Sequence, residues 1–560
     1  MCDDAKTISP RPVIPWMMKL EDQIVPDRQL GAAYQDTRID HEIKLNVNCN
    51  PSPARLTRIM ITLGEVNNKV TDIVKLFDDN HVDMIRLNVS HEDNTWHRQT
   101  IKNIRKAIEQ IQSQVAGVPF YPPAIVLDLK GPEIRTGIYN NDSSNRIIAG
   151  CTTFVEGDDV KLLSDKQTHD GSNSFWTSYR DLPRLSRVGD RIILDRGAVC
   201  LKVNQKGNEF VNCTVMKSGV VANKKIVQPI DTPLNLPQIS KQDDNDIDLA
   251  LELECDFLIA SHTRSWKSIS TIKERIKKIS PRPICVLAKI STCQGIEAFN
   301  DILKVADGIV IDRESLQIEV RMEKLFLAQK SIIAKCNRVG KPVVVTYRVS
   351  SDGQMKFELD LVANAVLEGA DSIFLATGSL DTKETLRLIE NVDVVCREAE
   401  CARWQRQIFQ ELSYKASIPL DPTHAMAIAA VELSMKLNAS AIIVTTTTGR
   451  SAILLSIYRP RCPIIAITRY GIASRWLRIY FAIHPLHYQC PPNPNWNEDI
   501  EARIRRGMNY LRQSRFVDVG DAIVIVGSWH RGDGFTNSIR VLYFSSSPIS
   551  NNITDFEQTW

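Results

Sequence analysis

Eight short apolar runs recur along the first two thirds of the chain: Ile59–Leu63, Met84–Leu87, Ala124–Leu129, Phe257–Ala260, Ile284–Ala288, Gly308–Ile311, Val343–Thr346 and Ser372–Leu375. Runs this short and this apolar read as strands buried on both faces. Helical periodicity fills most of the intervals, as over Ile101–Ile111 and Leu325–Cys336. Strand and helix alternating eight times predict an α/β chain built on a (β/α)8 barrel, whose chemistry sits at the carboxyl ends of its strands. The stretch 284–320 shows such a rim. Ile284–Ala288 runs into Lys289 and Ser291, and Gly308–Ile311 runs into Asp312, Arg313, Glu314 and Ser315. Between them Ile296, Phe299, Ile302 and Leu303 fall at helical spacing.

The interval between the third and fourth runs is too long for one helix. Its alternating, turn-rich texture, as in GDRIILDRGAVCLKVNQKGNEFVNCTV, predicts an inserted small β-barrel domain over 132–236. After about residue 403 strands and helices resume, with AIIVTTT, PIIAIT, DAIVIVGSW and RVLYF as strands of a separate open α/β domain over 403–560. The barrel then comprises 55–131 and 237–402. Residues 1–54 form an N-terminal segment ending in the turn-rich CNPSPARL.

Composition excludes more than it selects. A net charge of +3 over 560 residues does not point to nucleic acid or to an anionic membrane. No apolar run approaches the roughly 18 residues of a membrane helix. Thirteen cysteines, an odd number without a C-x-x-C pair, fit free thiols in a reducing compartment better than disulfides or zinc. The opening MCDDAKTISP has no signal or transit pattern, so the expected location is the cytoplasm.

Three polar motifs follow predicted strands. RLNVSH (Arg86 to His91) and LDLKGPEIRTG (Leu127 to Gly137) place Arg86 and Arg135 on the rim, where forked guanidinium groups suit phosphate oxygens. Asn88, Ser90 and Asp128 offer oxygens to a monovalent cation. TTTTGRSA (Thr445 to Ala452) joins a strand to a helix, with Gly449 for close backbone approach and Arg450 for charge, which suits a phosphate. A solvated polar rim explains any one of these; two long motifs on one rim argue for a site.

With LTRIMITLGE, NKKI, MEKLFLAQK, VANAVLEGAD, REAE, DPTHAMA and WHRGDGFTN, these motifs make the chain resemble the pyruvate kinase family, collinearly over about residues 45–545. The resemblance implies phosphoryl transfer between phosphoenolpyruvate and ADP, giving ATP. It implies that Lys289 and Arg86 hold the phosphoryl group, and that Arg135, Lys225 and Asn88 serve the nucleotide. K+ would lie among Asn88, Ser90, Asp128 and the backbone carbonyl of Leu129. A fructose-1,6-bisphosphate pocket would comprise Thr446, Thr448, Gly449, Arg450, Ser451, Trp496 and Arg503, with the loop Trp529–Asn537. The assembly implied is a homo- or hetero-tetramer.

The departures from the family gather on the rim. The two carboxylates that hold Mg2+ in the family are replaced by Ser291 and Ser315, and hydroxyls are poor substitutes for hard anionic ligands. Glu314 replaces a glycine beside the substrate carboxylate. Tyr347 aligns with a threonine placed to help protonate the enolpyruvate, QMKFELD shortens the next segment, and Ala376 and Gly378 replace a serine and a glutamate. In the effector pocket Thr447 and His530 replace basic or polar residues, with Arg531 as a compensating charge. The first expectation is a catalytically impaired family member acting as a regulatory or structural subunit. The alternatives are an active kinase with its metal site rebuilt from Asp312 or Glu314, and a module that senses sugar phosphate.

Overall fold

The computed structural model describes residues 28–544 except 78–80, 91, 115–120, 138–146, 149–150, 165–173, 233, 349–354, 529, 531 and 533. Eight parallel strands close into a barrel: β1 (Arg58–Thr62), β2 (Met84–Asn88), β3 (Ala124–Asp128), β4 (Phe257–Ala260), β5 (Cys285–Ile290), β6 (Gly308–Ile311), β7 (Val343–Arg348) and β8 (Ser372–Ala376). Each strand pairs with the next in sequence, and β8 pairs back to β1.

Side chains alternate across each strand with period two. Met84, Val126, Ile259, Leu287, Val310 and Val344 point inward and fill the barrel. Their neighbours Ile85, Leu127, Leu258, Ala288, Ile309 and Val345 pack against the helix layer. The residue two positions beyond an inward core residue therefore emerges at the carboxyl-end mouth. That parity brings Arg86, Asp128, Ser261 and Lys289 to one place.

The opposite end carries a repeated device absent from the sequence reading. Asp83, Asp256, Asp307 and Asp371 each stand just before an even-numbered strand. Each accepts the backbone N–H of a residue on or at the start of the preceding strand: Ile59 at 3.0 Å, Ile125 at 3.0 Å, Val286 at 2.8 Å and Val343 at 2.9 Å. A carboxylate taking a backbone N–H satisfies a donor that the ladder leaves open at the strand entrance. Three of the four also face arginines of the C-terminal domain. Arg478 lies 3.5 Å from Asp83, Arg475 2.7 Å from Asp256 and Arg459 2.8 Å from Asp371. Trp476 and Ile479 plug the barrel floor beneath them.

Between β3 and β4 the chain builds two sheets. The six-stranded one runs, in spatial order, Val227–Pro229, Arg191–Leu194, Val199–Lys206, Phe210–Lys217, Asp159–Leu163 and Ser174–Trp176. The three-stranded one joins Gly219–Ala222, Cys151–Phe154 and Ile147–Ile148. Phe154 and Val221 of the smaller sheet share one core with Leu162, Ile192 and Leu201 of the larger.

The C-terminal sheet contains β9 (Ala441–Thr445), β10 (Ile464–Thr468), β11 (Ile483–His487), β12 (Ala522–Gly527) and β13 (Ser538–Tyr543), in the order β11-β10-β9-β12-β13. Only β13 among these runs antiparallel. Strand β11 was not foreseen. Its IHPLH carries two histidines and a proline, and proline is tolerated because β11 lies at the sheet edge. The N-terminal segment also differs from expectation, holding two helices, Leu30–Ala33 and Arg38–Ile43, too short to show a period. Residues 1–27 lie outside the described part. Among the described residues no helix is long and apolar enough to cross a membrane.

Candidate functional site

Asp128 is the centre of the mouth. It is fully buried, and its Oδ2 accepts from Arg86 Nη2 at 2.6 Å, Arg86 Nε at 3.0 Å and Lys289 Nζ at 3.0 Å. Ser261 Oγ donates to Oδ1 at 2.7 Å. Burial pushes this carboxyl up, but Lys289 foremost, then Arg86 and the Ser261 hydroxyl, reverse that and hold it at about 2. Arg86 also lies over the Phe374 ring at 5.2 Å. Arg86, Lys289 and Asp128 sum to one positive charge, and Asp312, 3.9 Å from Lys289, adds a negative one beside them.

Asn88 is the register partner of Asp128 across β2 and β3, and its Oδ1 accepts the Ser90 backbone N–H at 3.3 Å. Leu129 has the opposite parity: its side chain is buried in the helix layer, leaving only its backbone for the mouth. Arg135 donates Nε to Glu133 at 2.8 Å and Nη1 to the Lys224 carbonyl at 2.9 Å. Lys225 reaches Asp195 at 3.5 Å. Arg135 and Lys225 thus stand where the inserted domain leaves the barrel, and both already have anionic neighbours.

The two serines are also engaged. Ser291 is fully buried and its Oγ stands 3.0 Å from His262 Nδ1, while His262 Nε2 lies 3.2 Å from Glu133 Oε1. Serine, histidine and carboxylate in line resemble a nucleophilic triad, yet a hydroxyl without solvent access cannot meet a substrate. The chain is a lock. Burial raises the Glu133 carboxyl, and hydrogen bonding and attraction from His262, then Arg135, bring it below its ordinary value. Ser315 donates its backbone N–H to Asp312 Oδ1 at 3.2 Å and its Oγ to Oδ2 at 2.9 Å. Lys289 lies 3.9 Å from the same carboxylate.

Glu314 sits half-buried on the rim, 3.9 Å from Arg348 at the end of β7 and 3.9 Å from Arg196 of the inserted domain. Tyr347 does not enter the mouth. It shares the outward parity of Val343 and Val345, and its hydroxyl donates to the Leu361 carbonyl at 2.8 Å. Thr346 is the inward neighbour, accepting the Arg313 backbone N–H at 3.3 Å and donating to the Ile311 carbonyl at 3.0 Å. The aligned position therefore carries a core tyrosine, not a rim hydroxyl.

In the C-terminal domain a cleft of about 210 Å3 is lined by Thr446, Thr447, Arg469, Trp496, Asp499 and Arg503, among others. Buried Asp499 pairs with Arg503 one helical turn on, and with Arg469 at the end of β10, whose Nη1 lies at 3.0 Å. Trp496 Nε1 and Arg503 Nε are buried without a hydrogen-bond partner. The strand-to-helix turn is held by Gly449 N–H donating to Thr446 Oγ1 at 3.1 Å, with Gly449 at φ +92°, where L side chains are strained. Ser451 Oγ contacts Thr536 Oγ1 at 2.7 Å, and Arg450 donates to Asp421 at 2.9 Å. Thr448 faces elsewhere, into a small cavity against the barrel floor beside Trp476 and Leu477. So Thr446, Trp496 and Arg503 share the cleft, whereas Thr448, Gly449, Arg450 and Ser451 do not line it. Trp529 and Arg531 lie outside the described residues.

Two family models cover most of this architecture: the pyruvate kinase barrel domain matches residues 54–383, and the pyruvate kinase alpha/beta domain matches residues 424–542. The chain belongs to the pyruvate kinase family. It is 36% identical over 527 residues to the pyruvate kinase PKLR of Homo sapiens, spanning 92% of this chain and 90% of that one. It is 31% identical over 517 residues to a pyruvate kinase of Hypocrea jecorina, spanning 90% and 93% respectively. It is 28% identical over 515 residues to pyruvate kinase 2 of Trypanosoma brucei brucei, spanning 90% and 99%. Pyruvate kinase homology thus extends across barrel, insert and C-terminal domain alike.

Sequence reasoning missed His262, Glu133, Ser261, Arg469 and Asp499 in this pyruvate kinase fold. Asp499 and Arg503 did carry a signal, an acid and a base four apart on a helix. His262 carried none, because its partners lie 129 and 29 residues away.

Proposed function

We propose that this pyruvate kinase family protein is catalytically impaired and works as a regulatory or structural subunit of a cytoplasmic tetramer, formed with its own copies or with an active relative. The observation that carries this reading is the pair of serines. Ser291 is buried and tied to His262, and Ser315 is tied to Asp312. Mg2+ needs hard anionic oxygens it can reach without full dehydration. Neither hydroxyl meets that need, and Asp312 already accepts from Ser315 twice with Lys289 beside it. Among the described residues no three His, Cys, Asp or Glu side chains are grouped to hold a metal ion. The residues present do not fit the divalent ion. Asn88, Ser90, Asp128 and the Leu129 carbonyl remain a suitable oxygen set for K+. Lys289 and Arg86 remain as the phosphoryl cations, with Arg135, Lys225 and Asn88 toward ADP or ATP.

The deciding experiment is a coupled assay of the purified protein with phosphoenolpyruvate, ADP, Mg2+ and K+, repeated with Mn2+. Loss of one preorganised electrostatic group costs about 10²–10³ in rate, and several are missing here. Turnover at least ~10³-fold below an ordinary enzyme is expected. A rate within the usual ~10–10³ s⁻¹ favours an active kinase with a rebuilt site.

A second reading has its own support. The C-terminal cleft holds two buried donors without partners, Trp496 Nε1 and Arg503 Nε, so a sugar phosphate such as fructose-1,6-bisphosphate suits it even where the barrel does not turn over.

A further inference from the structure

Glu314 lies on the first turn after β6, and three cations from different parts of the molecule surround it. Arg348 comes from the end of β7, Arg196 from the inserted domain, each 3.9 Å from the carboxylate, and Lys289 at the mouth acts on it through space. Asp312 is the acid on the same side. Burial and Asp312 raise the Glu314 carboxyl, with Arg348, Arg196 and Lys289 opposing them. Arg196 is held on a tight turn, Asp195–Gly197, in which Asp195 and Arg196 both adopt left-handed backbone (φ +46° and +56°). Non-glycine residues persist in that conformation where surrounding contacts over-determine it. Asp195 is held by Lys225 at 3.5 Å, so the turn is anchored at its first residue and presents Arg196 to the barrel at its second.

We propose that Arg196 and Arg348 form an interdomain anion site that Glu314 occupies from within, and that this contact holds the inserted domain against the mouth until a small external anion, a phosphate or a carboxylate, displaces Glu314. The contact spans two domains, so its occupancy couples anion binding at the mouth to the position of the insert. It is independent of whether the barrel turns over. Each ion pair is partly exposed and therefore weak and salt-screened, as a releasable contact must be.

The test uses the full chain as wild type, Glu314→Gln, Arg196→Gln and the double variant Glu314→Gln/Arg348→Gln, with melting curves to verify folding. Deuterium exchange of the amides of Asp195–Val199 reads the position of the insert, and calorimetric titration with inorganic phosphate reads the anion site. Glu314→Gln and Arg196→Gln should each speed exchange about threefold per ion pair lost. Wild type should approach the variants at about 1 M salt. Glu314→Gln should bind phosphate severalfold more tightly, and the double variant should lose that gain. Unchanged exchange in both single variants overturns the interdomain contact. Unchanged phosphate affinity in Glu314→Gln overturns the occupied anion site.

Discussion

Ser291 Oγ stands 3.0 Å from His262 Nδ1, a contact that joins the residue after β5 to the loop after β4. The bond closes a line through Glu133 to Arg135, tying β4, β5 and the exit to the inserted domain together. On the proposed reading, this internal hydrogen bond stands in exchange for a metal ligand.

Restoring the carboxylates tests that exchange. Ser291→Glu with Ser315→Asp should tighten Mg2+ binding, read by calorimetry, because two hard anionic ligands return. Turnover should stay low, since Glu314 still occupies the rim. An unchanged Mg2+ affinity would show that neither position opens toward the old site.

His262→Ala should destabilise the fold by about 1–3 kcal/mol, because it leaves Ser291 and Glu133 buried without their shared partner. Glu133 would then lose the main influence keeping its carboxyl low. The loss should therefore be largest above the ordinary carboxylate pKa and shrink as pH falls through the depressed value. Chemical denaturation at two pH values reads both effects, and a His262→Ala variant as stable as wild type would refute the lock.

Asp128 should govern acid sensitivity at the mouth. Its folded pKa is depressed to about 2 by Lys289, Arg86 and Ser261 against burial. A depressed carboxyl contributes stability that is present above about 4 and lost as pH falls toward about 2. Asp128→Asn should cost roughly 3–5 kcal/mol at neutral pH, by taking from buried Arg86 its carboxylate partner and leaving Lys289 with only Asp312 at 3.9 Å. The pH dependence of melting between 5 and 2 should flatten in the variant.

Asp246 should behave in the opposite sense. It is buried on the helix Lys241–Glu252, its Oδ1 accepts from Gln242 at 2.9 Å, and its Oδ2 has no partner. Burial raises its carboxyl to about 6. The stability contribution of a raised carboxyl is present below about 4 and lost as pH rises through about 6. Asp246→Asn should therefore raise the melting temperature at pH 7.5 and change little at pH 4. A uniform shift across that range would rule out titration as the cause.

The C-terminal cleft should bind fructose-1,6-bisphosphate. At 100 times the dissociation constant a ligand stabilises the fold by about 2.7 kcal/mol, a visible melting shift. Arg503→Ala should reduce that shift, and Trp496 fluorescence should respond in wild type. No shift in wild type would mark the pocket as inactive; equal shifts in both would place the ligand elsewhere.

The barrel was legible because period and length are local properties: eight apolar runs separated by helical intervals admit few closed arrangements. The same runs put Asp128 and Lys289 at strand ends, and the motif RLNVSH put Arg86 beside them on the rim. Parity was also in the sequence. Counting by twos gives Tyr347 the phase of Val343 and Val345, and closure of the barrel turns that phase toward the helix layer. The aspartate before each even strand was written there too, as VDMI, CDFL, ADGI and ADSI. Its purpose emerges only when the preceding strand lies beside it. The remainder was decided by closure. Asp128 meets Lys289 across 161 residues, His262 meets Glu133 across 129, and Arg196 reaches Glu314 only because the inserted domain folds back over the mouth. No local pattern encodes such pairs, because their energy depends on distances that exist only after the strands have closed and the domains have docked.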